Sequence, residues 1–312
     1  MNIFKDKKIL ITGGTGSFGH RAVLEFLKHR VKEVLVFSRD EEKQLDMRRQ
    51  NLDKRLNFII GNVRDYESLI QATKNIDIVY HAAALKIIPV CEKHPRESLK
   101  TNLLGTLNVK DAALENRVHK SIFVNTDKAV QPINVYGACK MLSEKMWIHG
   151  QTEECKFSSV RYGNVIGSRG SVVPFFRQLI ADMQPIPITD VRMTRFLLTL
   201  KQAIQTVVYA TENMHGGEVF VPKLSSCKIM DLVRALASSS YPIKIVGTRP
   251  GEKIHETLIS EEEFRRTEEQ KKCYIIHPHG TFKSEKKHVE YSSKNANRMT
   301  IGKIRKVLRN CD

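Results

Sequence analysis

The chain has few of the features that mark membrane, secreted or metal-binding proteins. No apolar run reaches the roughly 18 uncharged residues that a membrane-spanning helix needs. The apolar run at residues 9–11 is too short for the core of a secretory signal. The six cysteines are scattered without a Cys-x-x-Cys pair or a cluster with histidines, which is evidence against a disulfide framework and a zinc site. We therefore expect a cytoplasmic protein with reduced thiols, no membrane span and no metal ion.

Acidic residues are also scarce, since 34 aspartates and glutamates stand against 51 lysines and arginines, which gives a net charge of +17. A charge of this sign favours anionic partners. Nine basic and three acidic residues fall between Thr281 and Asp312 and predict a solvated basic tail. Because no nucleic-acid-binding motif accompanies this charge, we expect no specific nucleic acid partner. The length of 312 residues, with 41% hydrophobic and 27% charged, indicates a globular protein of about two domains.

Short apolar, β-branched runs alternate with amphipathic segments in the first half of the chain. Six of these runs are predicted to be strands, at residues 8–12, 33–38, 56–61, 77–81, 121–125 and 157–161. Apolar strands with helical segments between them are typical of a parallel sheet that is covered on both faces. The pattern predicts an α/β protein with a doubly wound parallel sheet and a smaller carboxyl-terminal lobe.

Prolines become more frequent after Gly163 and regular units become fewer, which predicts the second lobe. Helices are expected at residues 171–183, 200–213 and 228–239, and strands at 218–221 and 244–246. We assign residues 1–163, with about 190–215, to a dinucleotide-binding domain. About 164–189 and 216–312 are assigned to a substrate-binding lobe.

The first predicted strand runs into a glycine-rich turn, GGTGSFG at residues 13–19, which precedes a helical segment at residues 21–30. Glycines at 13, 16 and 19 permit a tight turn, a close approach of backbone N–H groups to a pyrophosphate, and close packing of helix on strand. Since this turn lies between a strand and a helix at the start of a βαβ series, it predicts dinucleotide binding.

The end of the second predicted strand selects the dinucleotide. An acidic residue there binds the ribose 2′-hydroxyl of NAD, whereas an arginine accommodates the 2′-phosphate of NADP. The strand ends in Ser38 and Arg39, followed by Asp40, with Lys43 one helical turn later. The neutral serine and the bidentate guanidinium of Arg39 favour NADP. Asp40 leaves NAD open as the second choice, and a surface ion pair is the alternative role for Arg39.

Two groups of residues at the fifth predicted strand indicate chemistry. Tyr136 and Lys140 are four positions apart, which places them on one face of a helix. A neighbouring ammonium and a positive nicotinamide favour tyrosinate, so Tyr136 is predicted to act as a base near neutral pH. Thr126, Asp127 and Lys128 stand at the carboxyl end of the strand, where open α/β sheets bind ligands. An acid beside an amine allows chemistry beyond hydride transfer, and a structural salt bridge is the alternative.

These motifs together resemble the extended short-chain dehydrogenases/reductases. The resemblance rests on residues 12–19, 37–41, 81–86, 126–128 and 136–140. Further motifs at 161–165, 167–174, 189–190, 193–196 and 249–253 resemble the bacterial UDP-N-acetylglucosamine 4,6-dehydratases, which include the soluble inverting enzymes that begin pseudaminic acid biosynthesis. A related membrane-linked group carries Met at the position of Tyr136. The chain departs from the usual family pattern at Asn62, Asn125 and Cys139.

The resemblance implies a redox-neutral dehydration of the sugar. Tyr136 would take the proton of the 4-hydroxyl, with Lys140 lowering the tyrosine pKa and Thr126 hydrogen-bonding that hydroxyl. Lys128 would remove the C5 proton, and Asp127 would protonate the departing 6-hydroxyl. Hydride would pass from C4 to NADP and return to C6, so that no cofactor is consumed. We expect inversion at C5.

The resemblance also implies a UDP-sugar substrate, a homo-oligomer and a set of binding residues. Those expected at the dinucleotide are Gly13, Thr15, Gly16, Ser17, Phe18, Gly19, Ser38, Arg39, Lys43, Asn62, Val63, Ala82, Ala83, Lys86, Tyr136 and Lys140. Those expected at the substrate are Lys86, Asn164, Val172, Arg195, Arg249 and Glu252. Two alternatives stay open. A nucleotide-sugar 4-epimerase needs Tyr136 and Lys140 but no acid-base pair for dehydration. A non-catalytic dinucleotide sensor typically lacks the tyrosine and the lysine.

Overall fold

The computed structural model describes residues 2–168, 170–238, 240–280 and 290–309. Several features of the sequence predictions lie outside these ranges. They are Arg169 of the motif at 167–174, Ser239 at the predicted end of a helix, residues 281–289 and 310–312 of the basic tail, and the first residue of the proposed dinucleotide-binding domain.

The amino-terminal half is a series of β-α units. Its elements are β1 (Lys8–Thr12), α1 (Ser17–Phe26), β2 (Glu33–Ser38), α2 (Glu41–Gln50), β3 (Leu56–Ile60), α3 (Tyr66–Thr73), β4 (Ile78–His81), α4 (Ile88–Lys93), α5 (Pro95–Ser98), a π-helical stretch (Leu99–Leu104), α6 (Gly105–Glu115), β5 (Lys120–Thr126), a 3₁₀ turn (Asp127–Ala129), α7 (Val135–Ile148) and β6 (Lys156–Tyr162). The six predicted strands are confirmed, with each end within one residue of its prediction. The first helix was predicted four residues too late, because it begins directly on the glycine turn.

The carboxyl-terminal half has shorter elements. They are β7 (Asn164–Val165), α8 (Val172–Ala181), β8 (Ile186–Ile188), β9 (Thr194–Leu198), α9 (Leu200–Asn213), β10 (Val219–Pro222), β11 (Ser226–Lys228), α10 (Ile229–Leu236), β12 (Ile243–Ile245), β13 (Thr257–Ile259), α11 (Glu261–Phe264), β14 (Thr267–Glu269), β15 (Cys273–Ile276), β16 (Tyr291–Ser292) and α12 (Ile301–Arg309). The helix predicted at 200–213 is confirmed, and it begins and ends at the predicted residues. It begins there because Thr199 and Gln202 form a reciprocal capping box.

Nine strands of the described chain form one sheet, in the order β14-β15-β10-β6-β5-β4-β1-β2-β3. From β10 to β3 all neighbours are parallel, whereas β15 and β14 add an antiparallel edge. β1 pairs with β2 on one side and β4 on the other, so the strand order reverses there and opens a crevice at the carboxyl ends. The predicted α/β doubly wound fold is confirmed. Since β10, β14 and β15 fall in 216–312, the sheet takes strands from both sides of the proposed domain division.

Helices cover both faces of this sheet. Phe26 of α1 and Val207 of α9 belong to the apolar core on one face, and Leu69 of α3 and Trp147 of α7 belong to the core on the other. A third apolar cluster joins α8, α10 and α12. The sheet is therefore buried on both sides, which explains why its strands are rich in apolar residues rather than alternating.

A buried ion network ties β6 to the chain after β13. Arg161 on β6, 2% exposed, donates to Glu144 of α7, to Glu263 of α11 at 3.0 Å and to the carbonyl oxygen of Leu258 at 2.8 Å. Burial acts to raise the pKa of Glu263, but the charge and hydrogen bonds of Arg161 outweigh it and lower that pKa to about 2. The network joins two carboxylates to one guanidinium inside the protein.

We expect Arg161→Met to lower the free energy of unfolding by about 3–5 kcal/mol, because it leaves two buried carboxylates without their counter-ion. Since the pKa of Glu263 is lower in the folded protein than the ordinary value of about 4.3, its contribution is complete above that pH and is lost as the pH falls towards 2. Urea unfolding of both proteins at neutral and acidic pH measures this. Arg49→Met, at a side chain that is 70% exposed, is the control. Equal stability of wild type and Arg161→Met at neutral pH would contradict the expectation.

Candidate active site

A cavity of about 830 Å³ opens at the carboxyl ends of the parallel strands. This volume is in the range of small-molecule binding sites. The predicted dinucleotide-binding residues that line it are Gly13, Thr15, Gly16, Ser17, Phe18, Ser38, Arg39, Lys43, Asn62, Val63, Ala82, Ala83, Lys86, Tyr136 and Lys140. Gly19 lies behind the lining, where it packs on Gly14. The structure thus brings together at one cavity residues that are far apart in the sequence.

The glycine turn allows contacts that side chains would prevent. Gly13 has a φ of +67°, and a Cβ on it would lie 2.7 Å from the Cα of Ala83. A Cβ on Gly19 would lie 2.1 Å from the carbonyl oxygen of Gly14. Gly16, the N-cap of α1, lines the cavity. The turn therefore brings the positive end of a helix dipole to the cavity without a side chain over it, which fits the diphosphate of a dinucleotide.

Two cations lie beside a neutral serine at the end of β2. Asp40 caps α2 by accepting from the backbone N–H of Lys43 at 3.0 Å, and it also pairs with the Lys43 ammonium. Gln44 donates to the carbonyl oxygen of Ser38 at 2.9 Å and to its hydroxyl at 3.1 Å. Ser38, Arg39, Asp40 and Lys43 all line the cavity, and the carboxylate of Asp40 is engaged by its own helix.

The acid and the amine that follow β5 form an ion pair, in which Lys128 lines the cavity and Asp127 is outside the lining. Lys128 Nζ lies 3.0 Å from Asp127 Oδ1, which also accepts from the Thr126 hydroxyl at 3.0 Å. Asp127 is fully buried, and its Oδ2 has no hydrogen-bond partner among the described residues. Burial raises the pKa of Asp127 against the opposing charge of Lys128. Burial acts to lower the pKa of Lys128, but the charges of Asp127 and Glu256 outweigh it and raise that pKa above its ordinary value.

Helix α7 presents Tyr136 and Lys140 to the same cavity. Asn134 caps the helix by accepting from the N–H of Gly137 at 2.7 Å. Burial raises the pKa of Tyr136 to about 12, while the positive charge of Lys128 acts in the opposite direction. Lys140 donates to the carbonyl oxygen of Val124 at 2.8 Å, and burial lowers the pKa of its ammonium to about 7. A lowering of the tyrosine pKa by Lys140 stays a prediction for the protein with its dinucleotide.

Sequence reasoning missed Glu256, a buried carboxylate behind this pair. Its Oε1 lies 3.3 Å from Lys128 Nζ and 3.8 Å from Arg195 Nε. Glu256 stands just past the motif at 249–253, and its position three residues beyond that motif is the only signal in the sequence. From the sequence alone, Glu256 would be predicted to lie on the surface, because its sequence neighbours do not indicate burial.

The predicted substrate residues divide into two groups. Lys86, Asn164, Arg249 and Glu252 line the cavity, whereas Val172 and Arg195 are not part of its lining. The guanidinium of Arg195 donates to the carbonyl oxygens of Thr194 at 2.7 Å, Lys253 at 2.9 Å and Ile254 at 3.1 Å. Asn164 Oδ1 is buried and has no hydrogen-bond partner within the described ranges. The substrate roles of all six residues stay predictions.

The described ranges contain no group of three or more His, Cys, Asp or Glu side chains that could hold a metal ion. Within the same ranges, every helix is too short or too polar to cross a membrane. The cysteines described there, Cys91, Cys139, Cys155, Cys227 and Cys273, are buried free thiols.

The chain matches the model of the polysaccharide biosynthesis protein family over residues 9–278. It is 46% identical over 282 residues to the UDP-N-acetylglucosamine 4,6-dehydratase (inverting) of Campylobacter jejuni subsp. jejuni serotype O:23/36 (strain 81-176). This alignment covers 88% of this chain and 84% of that protein. It is 42% identical over 332 aligned positions to a UDP-glucose 4-epimerase of Rickettsia bellii (strain OSU 85-389), with 99% and 97% covered. The X-ray structure of Pen from Bacillus thuringiensis superposes with a TM-score of 0.92 at 35% identity and covers 99% of this chain and 98% of that one. By its sheet, its glycine turn and these matches, the chain belongs to the polysaccharide biosynthesis protein family and has the extended short-chain dehydrogenase/reductase fold.

Proposed function

We propose that this protein is a UDP-N-acetylglucosamine 4,6-dehydratase that uses NADP and inverts C5. The observation that carries the proposal is the 3.0 Å ion pair between the buried Asp127 and Lys128, of which Lys128 lines the same cavity as Tyr136. A dehydration needs a base for the C5 proton and an acid for the 6-hydroxyl in addition to the base that serves C4. The similarity to the inverting dehydratase of Campylobacter jejuni supports the same reaction.

The glycine turn would hold the diphosphate of a dinucleotide. Ser38, Arg39 and Lys43 would bind the ribose that carries the 2′-phosphate of NADP. When bound, the nicotinamide supplies a hydride acceptor and donor. Tyr136, as the tyrosinate that a positive nicotinamide favours, would take the proton of the 4-hydroxyl as C4 is oxidised to the ketone. Thr126 also lines the cavity and would orient the 4-hydroxyl for Tyr136.

The pair formed by Asp127 and Lys128 provides both groups that elimination needs. The raised pKa of Lys128 makes it an ammonium in the resting protein. At 3.0 Å, one of its protons passes directly to Asp127, which leaves a neutral amine and a carboxylic acid. The amine removes the C5 proton that the 4-ketone has acidified, and the acid gives its proton to the 6-hydroxyl, which leaves as water. Lys128 is again an ammonium and Asp127 a carboxylate, so the protons balance.

The cavity residues outside the acid-base pair fit a nucleotide sugar. Arg249 and Lys86 bring positive charge to a site that would take a diphosphate. Glu252 accepts from the backbone N–H of Arg249 at 3.2 Å and would suit a ribose diol. Asn164 lines the same cavity, and its buried Oδ1 has no hydrogen-bond partner among the described residues.

A 4-epimerase is the second candidate, and the 42% identity to the Rickettsia bellii epimerase favours it. An epimerase uses Tyr136 and Lys140 and leaves the buried acid-base pair without a role. The mass of the product separates the two functions, because a dehydratase removes one water from UDP-N-acetylglucosamine and an epimerase leaves the mass unchanged. A non-catalytic sensor fits the chain less well, since Tyr136 and Lys140 are both present at the cavity.

The proposal places the enzyme in the cytoplasm, as a homo-oligomer that supplies a 4-keto-6-deoxy sugar nucleotide to surface-glycan or nonulosonic acid synthesis. Buried free thiols support a reducing compartment. The family match to polysaccharide biosynthesis supports the broader pathway.

We expect Arg39→Ala to weaken NADP binding by about 10- to 100-fold and to leave NAD binding nearly unchanged. The reason is the loss of one charge-assisted hydrogen bond to the 2′-phosphate, worth about 1.5–3 kcal/mol. Calorimetric titration of dinucleotide-stripped protein measures both affinities, with Arg49→Ala as the control on the exposed side of α2. An equal loss for the two dinucleotides would assign Arg39 to the fold rather than to the 2′-phosphate.

A further inference from the structure

Glu256 is a buried carboxylate for which the reaction described above has no use. It is 2% exposed, its Oε1 pairs with Lys128 at 3.3 Å, and its Oε2 has no hydrogen-bond partner among the described residues. The ammonium of Lys128 thus lies between two carboxylates, Asp127 at 3.0 Å and Glu256 at 3.3 Å. Such a carboxylate is costly to bury, so its position needs an explanation.

The chain around Glu256 is fixed on several sides. The backbone N–H of Glu256 donates to the Ser293 hydroxyl at 2.9 Å, and the N–H of Ser293 donates to the Glu256 carbonyl oxygen at 2.7 Å. Lys253 donates to the carbonyl oxygen of Val130 at 2.6 Å, directly after the 3₁₀ turn that holds Asp127 and Lys128. These hydrogen bonds hold the segment that carries Glu256 next to Asp127 and Lys128.

The titratable groups that interact with one another around Lys128 come from four parts of the fold. They are Asp127 and Lys128 after β5, Tyr136 on α7, Arg195 on β9, and Lys253 and Glu256 before β13. The negative charge of Glu256 raises the pKa of Asp127 and also that of Lys128. The cations Lys128, Arg195 and Lys253 keep Glu256 itself ionised, since together they lower its pKa against the effect of burial.

We propose that Glu256 is a positioning residue that gives Lys128 a second counter-ion, so that Asp127 can carry a proton without leaving the ammonium unpaired. The inference deepens the proposed dehydratase function and rests on it, because it is the elimination step that requires a protonated Asp127. Once Lys128 has taken the C5 proton, and before Asp127 has given its own proton to the 6-hydroxyl, Lys128 is an ammonium beside a neutral carboxylic acid. The ionised Glu256, at 3.3 Å, is then the carboxylate that pairs with it. Without Glu256, this state leaves a buried ammonium with no carboxylate beside it.

The first test follows the protonation of Asp127 without turnover. Difference infrared spectroscopy of the purified protein with its dinucleotide records the carboxylic acid band that is lost in Asp127→Asn, as a function of pH. We expect Glu256→Gln to move the midpoint of this band to lower pH, because a neighbouring negative charge has been removed. Glu256→Asp retains the charge at a greater distance and is expected to give an intermediate midpoint. Glu261→Gln, at an exposed position on α11, is the control that leaves the midpoint in place.

An unchanged midpoint in Glu256→Gln would overturn the proposal, since a merely structural glutamate does not set the protonation of Asp127. Thermal unfolding shows whether each variant is folded. If Glu256→Gln fails to fold, Glu256→Asp decides the question, because its midpoint either moves below that of the wild type or coincides with it.

The second test uses the pH dependence of water elimination from UDP-N-acetylglucosamine. Because Glu256 raises both pKa values, both limbs of the profile are expected to move to lower pH in Glu256→Gln, with a loss smaller than the roughly 10²–10⁴-fold expected for loss of the acid itself. A lower rate with unmoved limbs would contradict the positioning role. If the wild type eliminates no water, the dehydratase function fails, and the infrared midpoint still decides how Glu256 acts on Asp127.

Discussion

Lys128→Ala is expected to slow elimination by about 10²–10⁴-fold and to stop exchange of the C5 proton with deuterated solvent, because the amine that removes this proton is gone. Oxidation at C4 depends on Tyr136 and continues. Reduced nicotinamide is therefore expected to accumulate after UDP-N-acetylglucosamine is added. Its absorbance in a stopped-flow experiment, together with proton NMR of the recovered sugar, measures both effects.

The control for this change is Lys201→Ala, at an exposed position on α9. Since Lys128→Ala leaves the buried Asp127 and Glu256 without their shared ammonium, its free energy of unfolding is measured alongside. Asp127→Asn serves as the second variant, because it removes the acid while a neutral hydrogen-bonding group stays near Lys128. Exchange at C5 that persists in folded Lys128→Ala would give the role of base to another residue.

Tyr136→Phe is expected to lower the rate of C4 oxidation by about 10²–10⁴-fold, since the group that accepts the 4-hydroxyl proton is missing. In this variant no reduced nicotinamide accumulates, in contrast to Lys128→Ala. The two variants therefore separate the first hydride transfer from the elimination. Tyr241→Phe is the matched control, because the Tyr241 hydroxyl donates to the carbonyl oxygens of Leu179 and Gln184, away from the cavity lining. Accumulation of reduced nicotinamide in Tyr136→Phe would contradict the assignment.

Much of the sheet could be predicted from the sequence, because its strands are apolar runs bounded by polar residues and because burial on both faces produces such runs. The strands of two or three residues, such as β7 and β11, have no periodicity to detect. They form through pairing with β9, a contact between distant parts of the chain. The early start of α1 was missed because glycine is a poor helix former, whereas here Gly19 is required for packing on Gly14.

The candidate site divides in the same way. The glycine turn, the residues after β5 and the pair on α7 could be predicted because each is a local motif tied to one strand end. Glu256 could not be predicted, because its role depends on how the chain before β13 folds against the 3₁₀ turn at Asp127–Ala129. Arg195 is predicted to contact the nucleotide, and this role stays a prediction. The donation of its guanidinium to three backbone carbonyl oxygens could not be predicted, because it depends on the tertiary structure.

We propose that the acid-base pair beside Tyr136 makes this protein a dehydratase. The most direct measurement is incubation of the purified protein with UDP-N-acetylglucosamine in deuterated water, without added dinucleotide, followed by mass spectrometry and proton NMR. We expect a product that has lost one water, carries one deuterium at C5, shows ring couplings of the inverted sugar and forms without net production of NADPH. A product of unchanged mass with the C4 configuration reversed would instead identify a 4-epimerase.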